Sequence, residues 1–180
     1  MSNLILVAPL RGWVAPLDET PDAVFAQRLL GDGVAVDPLG DTLHAPCDGE
    51  VISIPHSKHA AAIRATNGAE ILLHVGIDTV ALAGEGFHAL VQVGANVRSG
   101  DPLLKFDLDL LARRAKSLIT PMVITNGERF TIVSVRSNCA VEVGDRLIEL
   151  QSAESSAQST GVAGAAEFNE RFAVLHEHGI

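Results

Sequence analysis

Short aliphatic runs alternate with turn-forming residues along this chain. This pattern limits the possible folds more than any other feature of the sequence. Residues 49–54 and 130–135 are two such runs, each six residues long and rich in Val and Ile. Pro55 follows the first run, and Gly127 and Asn138 lie three residues from either end of the second. Branched residues in short runs favour strands, whereas helices need a longer pattern of period 3.6. The sequence therefore predicts an all-β fold, an antiparallel β-sandwich or flattened barrel.

We expect two short helices in this β-rich chain. Thr20 can cap the first, with Pro21 in its first turn and Gly31 as its stop, and Asp109 can begin a second that runs to Lys116. Neither is long enough to organise the fold.

The composition changes after Leu150. Residues 151–167 consist mainly of Ser, Ala, Gly, Gln and Thr, which bury little apolar surface, and residues 168–180 regain large apolar side chains. The sequence therefore predicts one domain over residues 1–150, a flexible linker over residues 151–167 and a strand-like segment over residues 168–180.

Charge and cysteine content exclude some functions. The net charge of −9 argues against nucleic-acid binding, and Cys47 and Cys139 do not make a disulfide framework. No apolar run approaches the ~18 residues of a membrane span, and the apolar stretch at the N-terminus is too short for a secretion signal. We expect a cytoplasmic protein.

Two histidines are expected to meet across a hairpin. Asn67 and Gly68 predict a tight turn with a two-residue loop, which makes His59 face Gly76. His74 is two residues from Gly76, so it lies on the same sheet face as His59, with the backbones of the two histidines ~7–8 Å apart. The sequence thus predicts two imidazoles within mutual reach.

Such a pair could be a metal half-site, an acid/base pair, or a covalent carrier with its helper. His74 ends an apolar run before Gly76, which would display a nucleophile at the exposed end of a rigid strand. If one ring nitrogen attacks phosphorus, the other must keep its proton, and the turn at Gly76 could offer a carbonyl to hold it. His59 would then donate to a phosphoryl oxygen, and Ser57 would fix the His59 tautomer.

The motif His-x-Gly-Ile-Asp-Thr-Val at residues 74–80, with a histidine fifteen residues upstream, resembles the glucose-type enzyme IIA domain of the sugar phosphotransferase system. The resemblance extends over residues 4–150. It implies an antiparallel β-sandwich, phosphorylation of His74 and a supporting role for His59, with Ser57 standing where the family often has threonine. It also implies that HPr donates the phosphoryl group and that the IIB domain of a sugar permease accepts it.

The resemblance implies further residues around His74. Asp32 and Asp78 match acidic residues of the family that would attract arginines of a partner, and Leu72 and Val75 would belong to an apolar rim. Gly76 would have a structural role at the site. No cofactor is implied, and His59 and His74 would hold a metal only with a ligand that a partner supplies.

Residues 170–180 carry a second resemblance, to the first strand of HPr. Together the two resemblances imply a piece of a fused protein ordered IIA, HPr, enzyme I. That layout favours N-acetylglucosamine over glucose as the sugar, although specificity resides in the permease.

Other classes of protein are open at this point. A zinc peptidase of the lysostaphin type would use His74, Asp78, His176 and His178. A biotinyl or lipoyl carrier would need a displayed lysine, and no lysine here has the expected flanks. A regulatory module that binds other proteins without catalysis is the third alternative, because the family also binds protein targets in its unphosphorylated state.

Overall fold

Strands make up most of the regular structure in the computed structural model, which describes residues 3–153. The two α-helices in this range are α1 (Ala23–Ala26) and α2 (Leu108–Arg114), and three short 3-10 helices span Leu17–Glu19, Thr79–Leu82 and Gly127–Arg129. The strands are β1 (Leu4–Val7), β2 (Gly12–Pro16), β3 (Asp32–Pro38), β4 (Thr42–His44), β5 (Gly49–Ser53), β6 (Ala60–Ala65), β7 (Glu70–His74), β8 (Phe87–Ala89), β9 (Asn96–Val97), β10 (Pro102–Phe106), β11 (Thr120–Ile124), β12 (Phe130–Val135), β13 (Cys139–Val141) and β14 (Arg146–Ser152).

The strands form three antiparallel sheets. The large sheet has eight strands in the order β13-β2-β3-β11-β7-β6-β5-β9, and the two small sheets have the orders β1-β14-β12 and β4-β10-β8. Every strand pairing within residues 3–153 is antiparallel. The predicted all-β antiparallel fold with two short helices is confirmed.

Both faces of the large sheet are buried around β7. Ile71 and Leu73 join a core cluster that includes residues of both small sheets, whereas Leu72 points to a second cluster with Phe25 of α1. Successive side chains of a strand point to opposite faces, so β7 is packed from both sides. It is also flanked by β6 and β11 in the sheet. His74, the last residue of β7, therefore sits at the end of a rigid strand.

The helices begin at other residues than we expected. Asp22, not Thr20, caps α1, and its carboxylate accepts hydrogen bonds from the amides of Val24 at 2.9 Å and Phe25 at 3.3 Å. Asp107, not Asp109, caps α2 by accepting from the amide of Leu110 at 2.9 Å. In both cases an ionised carboxylate satisfies amides of the first turn that have no intrahelical partner.

The hairpin register differs from the expected one. Ile63 pairs with Ile71, not with Leu72, and Ala60 pairs with His74. The loop has three residues and ends in Gly68, whose φ of 86° is left-handed. A glycine in that conformation is the usual third residue of a three-residue hairpin loop, and it shifts the register by one residue.

The last strand runs past the expected domain boundary at Leu150. β14 continues to Ser152, and the amide of Ala153 donates to the carbonyl of Arg129 at 2.9 Å. The segment over residues 168–180 and most of the expected linker lie outside the described residues. No helix within residues 3–153 is long and apolar enough to cross a membrane.

Candidate active site

The two histidines lie at the open end of the β6–β7 hairpin. His74 ends β7, and His59 directly precedes β6. Their ring centroids are 4.7 Å apart, with an interplanar angle of 75°, so one ring meets the other edge to face. The expected proximity of the two imidazoles is therefore present.

The proximity does not arise from the register that we expected. Strand alternation from Ala60 would direct His59 and His74 to opposite faces, because Ala60 pairs with His74. The chain leaves strand geometry before that point, since Lys58 has a left-handed φ of 54°. The carbonyl of His59 accepts from the amide of Val75 at 2.8 Å. The bend at Lys58 thus brings the His59 ring to His74 while this bond holds the backbones together.

A backbone carbonyl fixes the proton of His74. The Nδ1 atom lies 2.8 Å from the carbonyl oxygen of Gly76. A carbonyl can only accept, so Nδ1 must donate, and in the neutral ring the lone pair is then on Nε2. This is the contact that the sequence suggested for a nucleophilic histidine.

A side-chain hydroxyl holds His59. The Oγ atom of Ser57 lies 2.6 Å from Nδ1 of His59, and both side chains are buried. The hydroxyl can donate to Nδ1 or accept from it, so this contact fits the relay that the sequence suggested without choosing the tautomer.

The His74 side chain is not exposed as we expected. It has 0% exposure, and the ring of Phe25 lies against it with the centroids 5.2 Å apart. The reason lies in α1, a helix of one turn that the sequence placed far from residue 74 and that folds over the end of β7. Any reagent that reaches Nε2 requires a displacement of this cover or of the rings.

The remaining expected site residues fall into two groups. Leu72 and Val75 are 1% and 0% exposed, so neither fits the apolar rim, because both faces of β7 and the turn after it are covered. Asp32 is exposed at the start of β3 and forms an ion pair with Arg28 at 2.8 Å. Asp78 lies in the turn that follows His74 and has a left-handed φ of 60°.

Sequence reasoning missed Phe25 and two threonines as site residues. Thr79 donates to the carbonyl of Val75 at 2.6 Å, and Thr120 accepts from the amide of Gly76 at 3.3 Å. Thr79 stands inside the motif that identified the site, which could have drawn attention to it. Nothing in the sequence links residue 120 or residue 25 to residue 76.

An open cavity of about 850 Å³ lies away from the histidines, beside β8 and β10. Asp41, Phe87, Lys105 and Asp107 are among its lining residues, and neither His59 nor His74 is.

Within residues 3–153, no three His, Cys, Asp or Glu side chains cluster in a way that could hold a metal ion. His176 and His178, which a zinc peptidase would need, lie outside the described residues. Cys47 and Cys139 are both free thiols, and burial raises the pKa of Cys47 to about 12, with a further contribution from Asp48.

The fold and the paired histidines define a β-sandwich phosphocarrier domain, and comparisons with known proteins agree. The family described as "phosphoenolpyruvate-dependent sugar phosphotransferase system, EIIA 1" matches residues 4–130, and the chain belongs to this family. It is a phosphotransferase domain and serves as a phosphoryl carrier in sugar transport. Neither the site nor the comparisons favour a peptidase or a module that only binds.

Individual relatives carry different sugar names. The chain is 54% identical over 121 residues, 67% of its length and 73% of the relative, to "PTS system glucose-specific EIIA component" of Bacillus cereus. It is 42% identical over 139 residues, 77% of its length and 21% of the relative, to "PTS system N-acetylglucosamine-specific EIICBA component" of Klebsiella pneumoniae. The solved glucose permease IIA from Mycoplasma capricolum aligns with a TM-score of 0.79 and 38% identity, covering 83% of this chain and 96% of that one.

Proposed function

We propose that His74 is the residue that carries the phosphoryl group, bound at Nε2. The observation that carries this proposal is the contact between His74 Nδ1 and the Gly76 carbonyl at 2.8 Å. Because that contact keeps the proton on Nδ1, the neutral ring presents its lone pair at Nε2 without a separate base.

In the proposed step the Nε2 lone pair attacks phosphorus, the bond from phosphorus to the donor breaks, and its electron pair returns to the donor. The transferred group passes through a loose transition state, with charge spread over its three equatorial oxygens. The product ring of His74 has Nδ1–H and a bond from Nε2 to phosphorus. The Gly76 carbonyl keeps the same hydrogen bond before and after transfer.

His59 is proposed to stabilise the charge of the group in transit. If the Ser57 hydroxyl donates to Nδ1 of His59 across their 2.6 Å contact, the proton of the neutral ring is on Nε2. An Nε2–H beside His74 would donate to a phosphoryl oxygen, an interaction that is stronger in the transition state than in the resting protein. Ser57 thus acts on the reaction through the His59 tautomer.

Access to Nε2 requires a local movement, because the His74 side chain is buried under Phe25. The helix that carries Phe25 has only four residues, and a short helix depends on its cap and packing rather than on its own hydrogen bonds. We propose that docking of a partner protein displaces α1 and uncovers the ring.

HPr is the proposed donor and a IIB domain the proposed acceptor, as for the family in general. Asp32 and Asp78 are proposed partner contacts, since Asp78 lies in the turn after His74 and Asp32 is exposed at the start of β3, and a basic partner would pair with such carboxylates. Since these partners act on the cytoplasmic side of sugar uptake, we propose a cytoplasmic location. Regulatory protein targets of the unphosphorylated state remain part of the proposal.

The order IIA, HPr, enzyme I is a further proposal and rests on residues 170–180 alone. The proposed layout is a IIA domain that ends after β14 rather than at the expected Leu150, a linker that reaches residue 167 and the start of an HPr-like domain at 168. N-acetylglucosamine is the proposed sugar on the same basis. Relatives named for different sugars share this domain, which fits a selectivity that resides in the permease.

The test is intact mass spectrometry of the full chain after incubation with phosphoenolpyruvate, enzyme I and HPr. We expect the mass of one added phosphoryl group, lost in acid and kept in base, as for a phosphohistidine. Omission of HPr should abolish the gain. A chain that gains no mass in the complete mixture would contradict the proposal.

A further inference from the structure

The peptide groups after His74 are held by two threonine hydroxyls. The carbonyl of Val75 accepts from the Thr79 hydroxyl at 2.6 Å, and the amide of Gly76 donates to the Thr120 hydroxyl at 3.3 Å. These two groups belong to the same peptide unit. Both polar groups of the Val75–Gly76 peptide are therefore bound by buried side chains, since Thr79 and Thr120 are each 0% exposed.

A backbone hydrogen bond holds the next peptide unit, Gly76–Ile77. The amide of Ile77 donates to the carbonyl of Ser117 at 2.9 Å. In a planar trans peptide the N–H and C=O point in opposite directions, so this bond aims the Gly76 carbonyl away from Ser117. That carbonyl is the acceptor of His74 Nδ1.

Side chains are needed here because the regular ladder between β7 and β11 has ended. Its last pair at this end is Leu73 with Met122, and the preceding residue of β11 is Pro121, which has no amide hydrogen. The Thr120 hydroxyl oxygen accepts the hydrogen bond from the Gly76 amide, and the same hydroxyl donates a hydrogen bond to the carbonyl of Leu118 at 3.0 Å. Thr79 reaches the same turn from the 3-10 helix that follows it.

We propose that Thr79 and Thr120 are positioning residues for phosphoryl transfer. By fixing the Val75–Gly76 peptide they hold the Gly76 carbonyl on Nδ1 of His74, and so keep the nucleophilic lone pair on Nε2. The inference deepens the proposed function and rests on it for its effect on transfer. Its effect on the His74 tautomer is independent of any transfer.

The test compares isosteric and conservative variants of the full chain. Thr79→Val and Thr120→Val keep the shape and remove the hydroxyl, whereas Thr79→Ser and Thr120→Ser keep the hydroxyl. Thr42→Val is the control for the same substitution, because it removes a threonine hydroxyl that donates to Asp41 at 2.9 Å in a different sheet, β4-β10-β8. Heteronuclear NMR of the imidazole nitrogens reports the tautomer of His74 before any phosphorylation.

We expect the Nδ1–H tautomer in the wild-type chain, both serine variants and Thr42→Val, and a visible fraction of Nε2–H in both valine variants. The rate of phosphoryl uptake from phosphorylated HPr should fall roughly tenfold to a hundredfold in the valine variants, as for a misplaced reacting group. The final extent should still approach one group per chain. A purely structural role for the threonines would lower stability but leave the tautomer unchanged.

Valine variants that keep a pure Nδ1–H tautomer would overturn the inference, whatever their transfer rate. If they do not fold, the wild-type chain decides. The Thr79 and Thr120 hydroxyl protons should be protected from exchange, and the Thr120 hydroxyl proton should show a contact to the Gly76 amide proton. Free exchange of both hydroxyl protons with water would overturn the inference. A wild-type chain that shows the expected tautomers but accepts no phosphoryl group would instead contradict the proposed function.

Discussion

The two chain segments at the open end of the β6–β7 hairpin each hold an imidazole, by different means. His74 is fixed at Nδ1 by the backbone carbonyl of Gly76, and His59 is bonded at Nδ1 by the side chain of Ser57. A carbonyl sets one tautomer and no side-chain substitution removes it. A hydroxyl permits both tautomers and can be changed by one mutation, so the tautomer of His74 is constrained more tightly than that of His59.

The chain around His74 is also more extensively paired and packed than the chain that precedes His59. His74 ends a strand that is paired on both edges and packed on both faces. His59 follows a bend with exposed neighbours, since Lys58 and His56 both face solvent. His74 thus belongs to a strand in the core of the domain, whereas His59 is a buried residue at the end of a loop.

Removal of the acceptor should have the largest effect. His74→Ala should abolish phosphoryl uptake completely, because no other imidazole within residues 3–153 has a carbonyl-fixed Nδ1 beside a second ring at the hairpin end. Intact mass after incubation with phosphorylated HPr measures the uptake, and His88→Ala on the exposed side of β8 is the control. Undiminished labelling of His74→Ala would place the phosphoryl group elsewhere.

Loss of the helper should separate acceptance from delivery. His59→Gln should still become phosphorylated, but transfer to a IIB domain should slow by roughly a hundredfold to a thousandfold, the usual effect of removing one donor that stabilises transition-state charge. Rapid-quench measurement of each half-reaction tests this. If labelling is lost entirely, the two rings act as one unit and the division between acceptor and helper is wrong.

The backbone partner of His74 can be perturbed only through its conformation. Gly76 has a φ of 69°, and an added Cβ would lie 2.7 Å from Cγ2 of Thr79 and 3.0 Å from the Ser117 carbonyl oxygen. Gly76→Ala should lower the free energy of unfolding by about 1–3 kcal/mol. Uptake should slow roughly tenfold to a hundredfold as the carbonyl moves off Nδ1.

Gly94→Ala is the matched control for this change. Gly94 also has a positive φ, of 90°, but nothing lies within 4 Å of its added Cβ. The Gly94→Ala variant should lose stability through backbone strain but take up the phosphoryl group at the wild-type rate. Chemical denaturation and uptake rates on both variants decide the point, and equal uptake in the two would mean that the Gly76 carbonyl is not needed.

The smallest effect should come from the side-chain partner of His59. Ser57→Ala removes one buried hydrogen bond, worth about 0.5–1.5 kcal/mol, so delivery to IIB should slow by about tenfold at most. Ser57→Thr keeps the hydroxyl and should transfer at the wild-type rate. A Ser57→Ala variant that delivers to IIB at the wild-type rate would show that the relay does not depend on the hydroxyl.

Which contacts of the site could be predicted from the sequence depends on how far apart the partners lie along the chain. The contacts of Ser57 with His59 and of His74 with Gly76 each join residues two apart, so a strand pattern and a turn glycine were enough to suggest them. The bond from Gly76 to Thr120 spans 44 residues, and no periodicity encodes it.

Two errors have local physical causes. The hairpin register was wrong because Asn-Gly also fits a three-residue loop when the glycine takes the left-handed position. The exposure of His74 was wrong because strand patterns do not reveal that α1 covers the end of β7. The bend at Lys58 then restored the proximity of the rings by a left-handed φ that lysine residues seldom adopt.

The pairing of the first and last strands has a consequence for how this domain is joined to others. Leu4 lies opposite Leu150, and Asn3 contacts Glu149 through a side-chain hydrogen bond, so both ends of the described chain leave from the same end of the β1-β14-β12 sheet. A neighbouring domain attached before β1 or after β14 would emerge at the same place. The order of domains in a fused polypeptide can thus be exchanged, or the chain circularly permuted, without moving the hairpin that holds the histidines.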